Sequence, residues 1–137
     1  MEKKIIALRG KANVGKTSTL KKAYEILKNN YTIENVFKRI DAEIKVIVII
    51  KGVKIGIESQ GDPGYRLKES LKEFAEKECV IIICATRTRG QTVKAVEEQK
   101  PIYKVIWKEQ KENKLAQAAT NDAMAKKIIQ EIEKAWS

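Results

Sequence analysis

One run of eight residues constrains this chain more than any other feature. Gly10-Lys11-Ala12-Asn13-Val14-Gly15-Lys16-Thr17 follows an apolar stretch, residues 4–8, that reads as a strand. It precedes a segment in which Leu20, Ala23, Tyr24 and Leu27 fall at helical spacing. A glycine at each end of such a loop permits backbone angles and close approaches that a Cβ would obstruct. In a strand–loop–helix of this kind the loop amides turn inward as an anion nest, and the helix amino end adds its positive dipole. Lys16 then supplies a mobile cation for the outer phosphates, and the Thr17 hydroxyl is a hard oxygen ligand suited to Mg²⁺. The expected phosphate-binding set is Gly10, Lys11, Ala12, Asn13, Val14, Gly15, Lys16 and Thr17, with Ser18 beside them in the first helical turn.

The rest of the chain continues the alternation of strand and helix. Residues 31–43 are polar without a clean period and read as a loop with one helical turn. Two β-rich runs, 44–50 and 53–57, are separated by Lys51-Gly52, which predicts a hairpin. Asp62 as N-cap and Pro63 at the first helical position would start a helix with the stripe Leu67, Leu71, Phe74 and Ala75. Residues 80–84 form a continuous apolar run, as in a strand covered on both faces. A short helix is expected over 92–99 and a strand over 101–107. A last helix, capped by Thr120 or Asn121, carries Ala125, Ile128, Ile129, Ile132 and Trp136 on one stripe.

The order β-α-ββ-α-β-α-β-α predicts a single α/β domain over residues 1–137: a three-layer α/β/α sandwich around a mostly parallel five-stranded sheet with one antiparallel edge strand. Ligands of such folds bind beyond the carboxyl ends of the strands, so the loops after Leu8, Ile57, Cys84 and Trp107 should share one rim.

The segment from Gly10 to Thr17 resembles the Walker A segment of the P-loop NTPase superfamily, GxxxxGKT, in its required strand-to-helix context. The chain looks most like the small stand-alone ATP-binding P-loop proteins of bacteria and phages, and the hairpin after the first helix looks like that of GTPase-like members. The resemblance implies a nucleotide with Mg²⁺ as cofactors, and hydrolysis or phosphoryl transfer as the activity. It also implies an acid at the end of another strand. Glu58 and Asp62 both follow the second hairpin strand, and Glu58-Ser59-Gln60-Gly61 resembles the GTPase DxxG segment with Glu for Asp. Glu58 is favoured, because Asp62 is equally suited to cap a helix. Gln60 could orient a water. After the strand that ends at Cys84, a GTPase would carry NKxD. This chain carries Ala85-Thr86-Arg87-Thr88-Arg89 instead, which favours ATP over GTP. Arg87, ahead of Arg89, is placed to stabilise charge on a transferring phosphoryl group. The expected catalytic groups are therefore Lys16, Glu58 and Arg87, with Thr17, Glu58 and Asp62 on the metal side.

Composition narrows the alternatives. The chain has no histidine, which removes imidazole bases, Ser-His and Cys-His nucleophile pairs and His-ligated metals. Cys79 and Cys84 fit no zinc or redox spacing and read as buried apolar groups on opposite faces of a strand in a reducing, cytoplasmic setting. The longest wholly apolar run, residues 46–50, falls far short of the roughly 20 residues of a membrane span, and the amino end has no leader-like apolar stretch. The net charge of +10 suggests polyanionic company. Its lysines are scattered over all elements, however, and only 6% of residues are aromatic, so nucleic acid is not favoured as the direct partner. A nucleotide-dependent switch read by a protein partner, or a nucleic-acid-associated module, are the alternatives to an enzyme.

Overall fold

The computed structural model describes residues 2–60 and 64–136. Six strands and four helices follow one another as β1 (Lys4–Arg9), α1 (Lys16–Asn30), β2 (Glu34–Ile40), β3 (Ile44–Ile50), β4 (Val53–Glu58), α2 (Gly64–Glu76), β5 (Ile81–Thr86), α3 (Gln91–Glu97), β6 (Lys104–Glu109) and α4 (Gln117–Glu133), with a short 3₁₀ turn at Lys134–Trp136. They build one mixed sheet in the order β2-β3-β4-β5-β1-β6. Strand β1 runs parallel to β5 on one side and β6 on the other, and β4 runs parallel to β5.

The apolar alternation of the strands decides which helix covers which face. Ile6 and Leu8 of β1, Ile55 and Ile57 of β4, and Ile81 and Ile83 of β5 share a buried face with Leu20, Ala23 and Leu27 of α1 and Ile128 and Ile132 of α4. Ile5 and Ala7, Ile82 and Cys84 point the other way, onto Leu67, Leu71 and Phe74 of α2 and Val96 of α3. Gly56 sits within β4 because the Phe74 ring lies directly on it; a Cβ there would come to 2.9 Å from the ring. The β3–β4 hairpin turns through Lys51 and Gly52, both with positive φ (51° and 78°), the signature of the primed turns that match strand twist.

Four expectations are corrected. The sheet has six strands rather than five, because β2 occupies the stretch read as a loop. All seven of its residues are exposed, so no apolar period marks it; it is held by antiparallel pairing to β3, with a register shift between Asn35 and Phe37. Nor is there a lone antiparallel strand at the edge: β3 lies between β2 and β4 and is antiparallel to both. Strand β6 starts at Lys104 rather than Pro101, since Ile102 and Tyr103 both donate N–H bonds to the Gln99 carbonyl in a turn (3.0 and 2.8 Å). Helix α4 starts at Gln117, and neither Thr120 nor Asn121 caps it; Asn113 Oδ1 accepts instead from the Leu115 and Ala116 amides just ahead of the helix (3.3 and 3.1 Å). The expected Asp62-Pro63 helix start lies outside the described residues.

Cys79 and Cys84 are free and buried. Both belong to the α2–α3 side of the core, not to opposite faces, because Cys79 precedes β5. Burial pushes the Cys79 thiol up to about 11 and the Cys84 thiol up to about 12. Among the described residues no helix is long and apolar enough to cross a membrane.

Candidate functional site

The carboxyl ends of β1, β4, β5 and β6 end at one rim. Because β3 runs against them, its amino end and the turn before it, residues 41–43, reach the same rim. The Gly10–Thr17 segment lies at its centre. Its entry is fixed on both sides: Gly10 N–H donates to the Thr86 carbonyl (3.1 Å), and Gln110 N–H donates to the Arg9 carbonyl (2.8 Å). Asn13 and Gly15 both take positive φ, 62° and 89°, which turns the chain sharply into α1. Gly15 is the N-cap of α1, makes no side-chain cap bond, and is followed by no acidic residue in the first turn. The first turn of α1 thus supplies no carboxylate of its own to the positive end of the helix dipole.

Behind the segment lies a buried cluster of amide side chains. Gln110 Nε2 donates to the Val14 carbonyl (2.6 Å) and to Asn121 Oδ1 (2.8 Å), and Gln110 Oε1 accepts from the Thr19 hydroxyl (2.8 Å). Gln117 Nε2 donates to the same two acceptors, at 2.8 and 2.9 Å. This packing explains both glycines. A Cβ on Gly10 would overlap the Gln110 carbonyl oxygen, and one on Gly15 would lie 2.5 Å from Asn121 Oδ1.

In front lies a cavity of about 250 Å³. Its walls come from the loop (Ala12, Asn13, Lys16, Thr17), from Glu43 before β3, from Ser59 and Gln60 after β4, and from Thr86 and Arg87 at the end of β5. The Lys16 ammonium donates to the Gly10 carbonyl and to the Thr86 carbonyl (2.6 Å), so it stands across the mouth of the loop. The Thr17 hydroxyl donates to Glu43 Oε2 at 3.0 Å, and the Ser59 hydroxyl donates to the same oxygen at 2.5 Å. Glu43 is placed in turn by its own N–H, which donates to Asp41 Oδ1 (2.9 Å).

The structure thus brings Lys16, Thr17, Gln60 and Arg87 around one cavity, with Ala12 and Asn13. Ser18 is exposed on the first turn of α1, and Lys11 is exposed on the loop. Arg87 is held through its N–H, which donates to the buried Thr92 hydroxyl (2.9 Å). Arg89 is exposed and does not line the cavity. Glu58 is not brought to Thr17. It is buried on the opposite face of the sheet, where Oε1 accepts from Gln60 N–H (3.1 Å) and Oε2 from the Ser70 hydroxyl (3.0 Å). Its burial raises its pKa, against the lowering effects of Ser70, the Gln60 amide, Lys45 and Arg39. Glu58 lines a separate cavity of about 260 Å³ with Arg39, Lys45 and Arg66, and Gln60 borders both. Asp62 lies outside the described residues.

Compared with protein-family models, with curated proteins and with solved structures, the chain matches none.

The carboxylate beside Thr17 is Glu43, which lies in the stretch 31–43 expected to be a loop. The available signal was directional: a hairpin strand that runs against its neighbours puts its first residue at the same rim as the neighbours' last. Among the described residues no three His, Cys, Asp or Glu side chains converge, so a metal here would rest on few protein oxygens. Thr17 Oγ1 and Glu43 Oε2 are hard oxygens 3.0 Å apart on one wall of the cavity, a donor set that suits Mg²⁺ sharing its shell with phosphate and water.

Proposed function

We propose that this chain is a P-loop protein that binds a nucleoside triphosphate with Mg²⁺ and hydrolyses it or transfers its terminal phosphoryl group. ATP is the favoured nucleotide, because the guanine-reading NKxD is absent after Cys84. The observation that carries the reading is the convergence of three features on one cavity: the uncapped start of α1, the Lys16 ammonium, and the Thr17–Glu43 pair.

Each residue has a physical task. The Gly10–Gly15 turn and the start of α1 offer amides and a positive dipole end to the phosphate chain. Lys16 exchanges the Gly10 and Thr86 carbonyls for phosphate oxygens, whose negative charge adds an ion pair to the hydrogen bond. Thr17 and Glu43 would hold Mg²⁺, which when bound neutralises charge on the outer phosphates. Arg87, at the end of β5, faces the same cavity and can take up charge that develops on a transferring group. Calorimetric titration with ATP, GTP and ADP, with and without Mg²⁺, tests the reading; absence of heat with every nucleotide refutes it.

A second reading, a nucleotide-dependent switch, is favoured by one specific contact. Glu43 joins Thr17 of α1 to Ser59, so the two connecting segments 41–43 and 59–60 meet at the site. Segments held this way can change order with the ligand and be read by a protein partner. Tight binding of Mg·ATP with no phosphate release would select the switch over the enzyme.

A further inference from the structure

We infer that Gln110 is a positioning residue that presets the loop for anions, acting with Gln117 through the single carbonyl of Val14. The inference rests on the nucleotide-binding reading of the loop and names what holds it in shape.

One peptide plane links the amide cluster to the loop. The Val14 carbonyl accepts two side-chain N–H bonds, from Gln110 Nε2 at 2.6 Å and Gln117 Nε2 at 2.8 Å. A trans peptide puts its C=O and N–H on opposite sides. With the carbonyl fixed towards the amide cluster, the Gly15 N–H is fixed away from it. The plane can hold this orientation because Gly15 tolerates φ of 89°.

The cluster itself has little freedom. Gln110 is buried, and its carboxamide is fully engaged: both N–H groups donate, to Val14 O and Asn121 Oδ1, while its oxygen accepts from Thr19. Asn121 Oδ1 accepts from both glutamines, which locks them in one orientation relative to each other. Preset amides need no rearrangement when an anion arrives, which is how a loop gains affinity without new contacts.

The three elements concerned are far apart in sequence. Gln110 stands at the end of β6, Gln117 and Asn121 on α4, and Val14 on the loop, 96 and 103 positions from Gln110 and Gln117. Nothing in the Gly10–Thr17 motif encodes this support.

The test uses the whole protein. Gln110→Glu keeps the size and removes both donated bonds, placing carboxylate oxygens against the Val14 carbonyl and Asn121 Oδ1. Mg·ATP and inorganic tripolyphosphate are titrated into wild type and variant by calorimetry, well below each unfolding midpoint. The expected result is a loss of tenfold or more, equal for the two ligands because the loop reads only phosphates, with a smaller loss for Gln117→Ala. A merely structural role would lower the midpoint and leave affinity below it unchanged; that result overturns the inference. Amide NMR of the free protein gives an independent reading. The Gly15 amide resonance should move and its exchange quicken in Gln110→Glu, and an unmoved resonance overturns the inference as well. If wild type itself binds neither ligand, the nucleotide reading fails while the NMR comparison still decides whether Gln110 orients the Gly15 amide.

Discussion

Replacing Gly15 by alanine should damage this fold more than the same change at Gly52, although both glycines take positive φ. The backbone term is shared: at φ of 89° and 78° a Cβ crowds its own chain, which costs roughly 1–2 kcal/mol in the left-handed region. At Gly52 that is the whole effect, since nothing lies within 4 Å of the added carbon. At Gly15 the carbon would meet Asn121 Oδ1 at 2.5 Å and Nδ2 at 2.9 Å. The Asn121 carboxamide must move, and it is the shared acceptor of Gln110 and Gln117 (2.8 and 2.9 Å). Two hydrogen bonds, one buried and one half-buried, worth about 1 kcal/mol each are then lost or lengthened. The Gly15→Ala loss should therefore reach about 3–4 kcal/mol, about 2 more than Gly52→Ala. For a chain of this length that gap lowers the thermal midpoint by several further degrees, on the order of 6–8 °C. Urea unfolding of the two variants side by side measures it, with m-values checked for constancy. Equal losses within about 0.5 kcal/mol would mean that the amide cluster does not press against the loop, and the account of why Gly15 is glycine would fall.

Other outcomes follow from the same geometry. Lys16→Ala removes the cation that would face the phosphates of the proposed nucleotide and should weaken Mg·ATP binding about 10- to 100-fold, the size of one charge-assisted bond of about 1.5–3 kcal/mol, with little change in the unfolding midpoint; unchanged affinity in calorimetry would remove Lys16 from the site. Glu58 has a pKa raised chiefly by burial, so its contribution to stability is fully present below its unfolded value and is lost as pH rises through the folded one. Glu58→Gln should consequently gain stability relative to wild type as pH rises above the ordinary glutamate range, read as the difference in urea midpoints; a difference that shrinks with rising pH would contradict the burial argument. Cys79 and Cys84, with thiols pushed up to about 11 and about 12, should resist a thiol-specific disulfide reagent at pH 8 in the native protein and react fully in denaturant. Rapid native labelling would show that the core opens there.

What could be read in the sequence was whatever leaves a mark in the local pattern. The strand–loop–helix around Gly10–Thr17 is marked by its glycines and its flanks, the hairpin strands β3 and β4 by β-rich runs about Lys51-Gly52, and β5 by a continuous apolar run. Strand β2 leaves no mark, because an edge strand with both faces open needs no apolar period: Glu34, Lys38 and Arg39 serve as well as valines, and its pairing to β3 is made by the backbone. The face taken by Glu58 was legible in principle. Val53, Ile55 and Ile57 share the α1 side, so the next residue in the strand must point to α2, where Ser70 meets it. The support from Gln110, Gln117 and Asn121 was not legible, since it depends on β6 and α4 arriving behind a loop about 100 positions earlier.

The exchange of Glu58 for Glu43 beside Thr17 follows from sheet direction rather than from residue type. A carboxylate can reach Thr17 only from the rim at which α1 begins, and on the face that α1 covers. Glu58 meets the first condition and fails the second, because strand parity turns it onto α2. Glu43 meets both: β3 runs against β4, so the residue before Ile44 stands at the rim, and the Asp41 carboxylate holds the turn that aims it. The same placement makes Glu43 Oε2 a shared acceptor for Thr17 of α1 and for Ser59 beyond β4. Ser59 is also bonded to Ile44, donating its N–H to the Ile44 carbonyl (2.9 Å) and accepting from the Ile44 N–H with its hydroxyl (2.8 Å), so the turn before β3 and the segment after β4 are joined at several points beside the cavity.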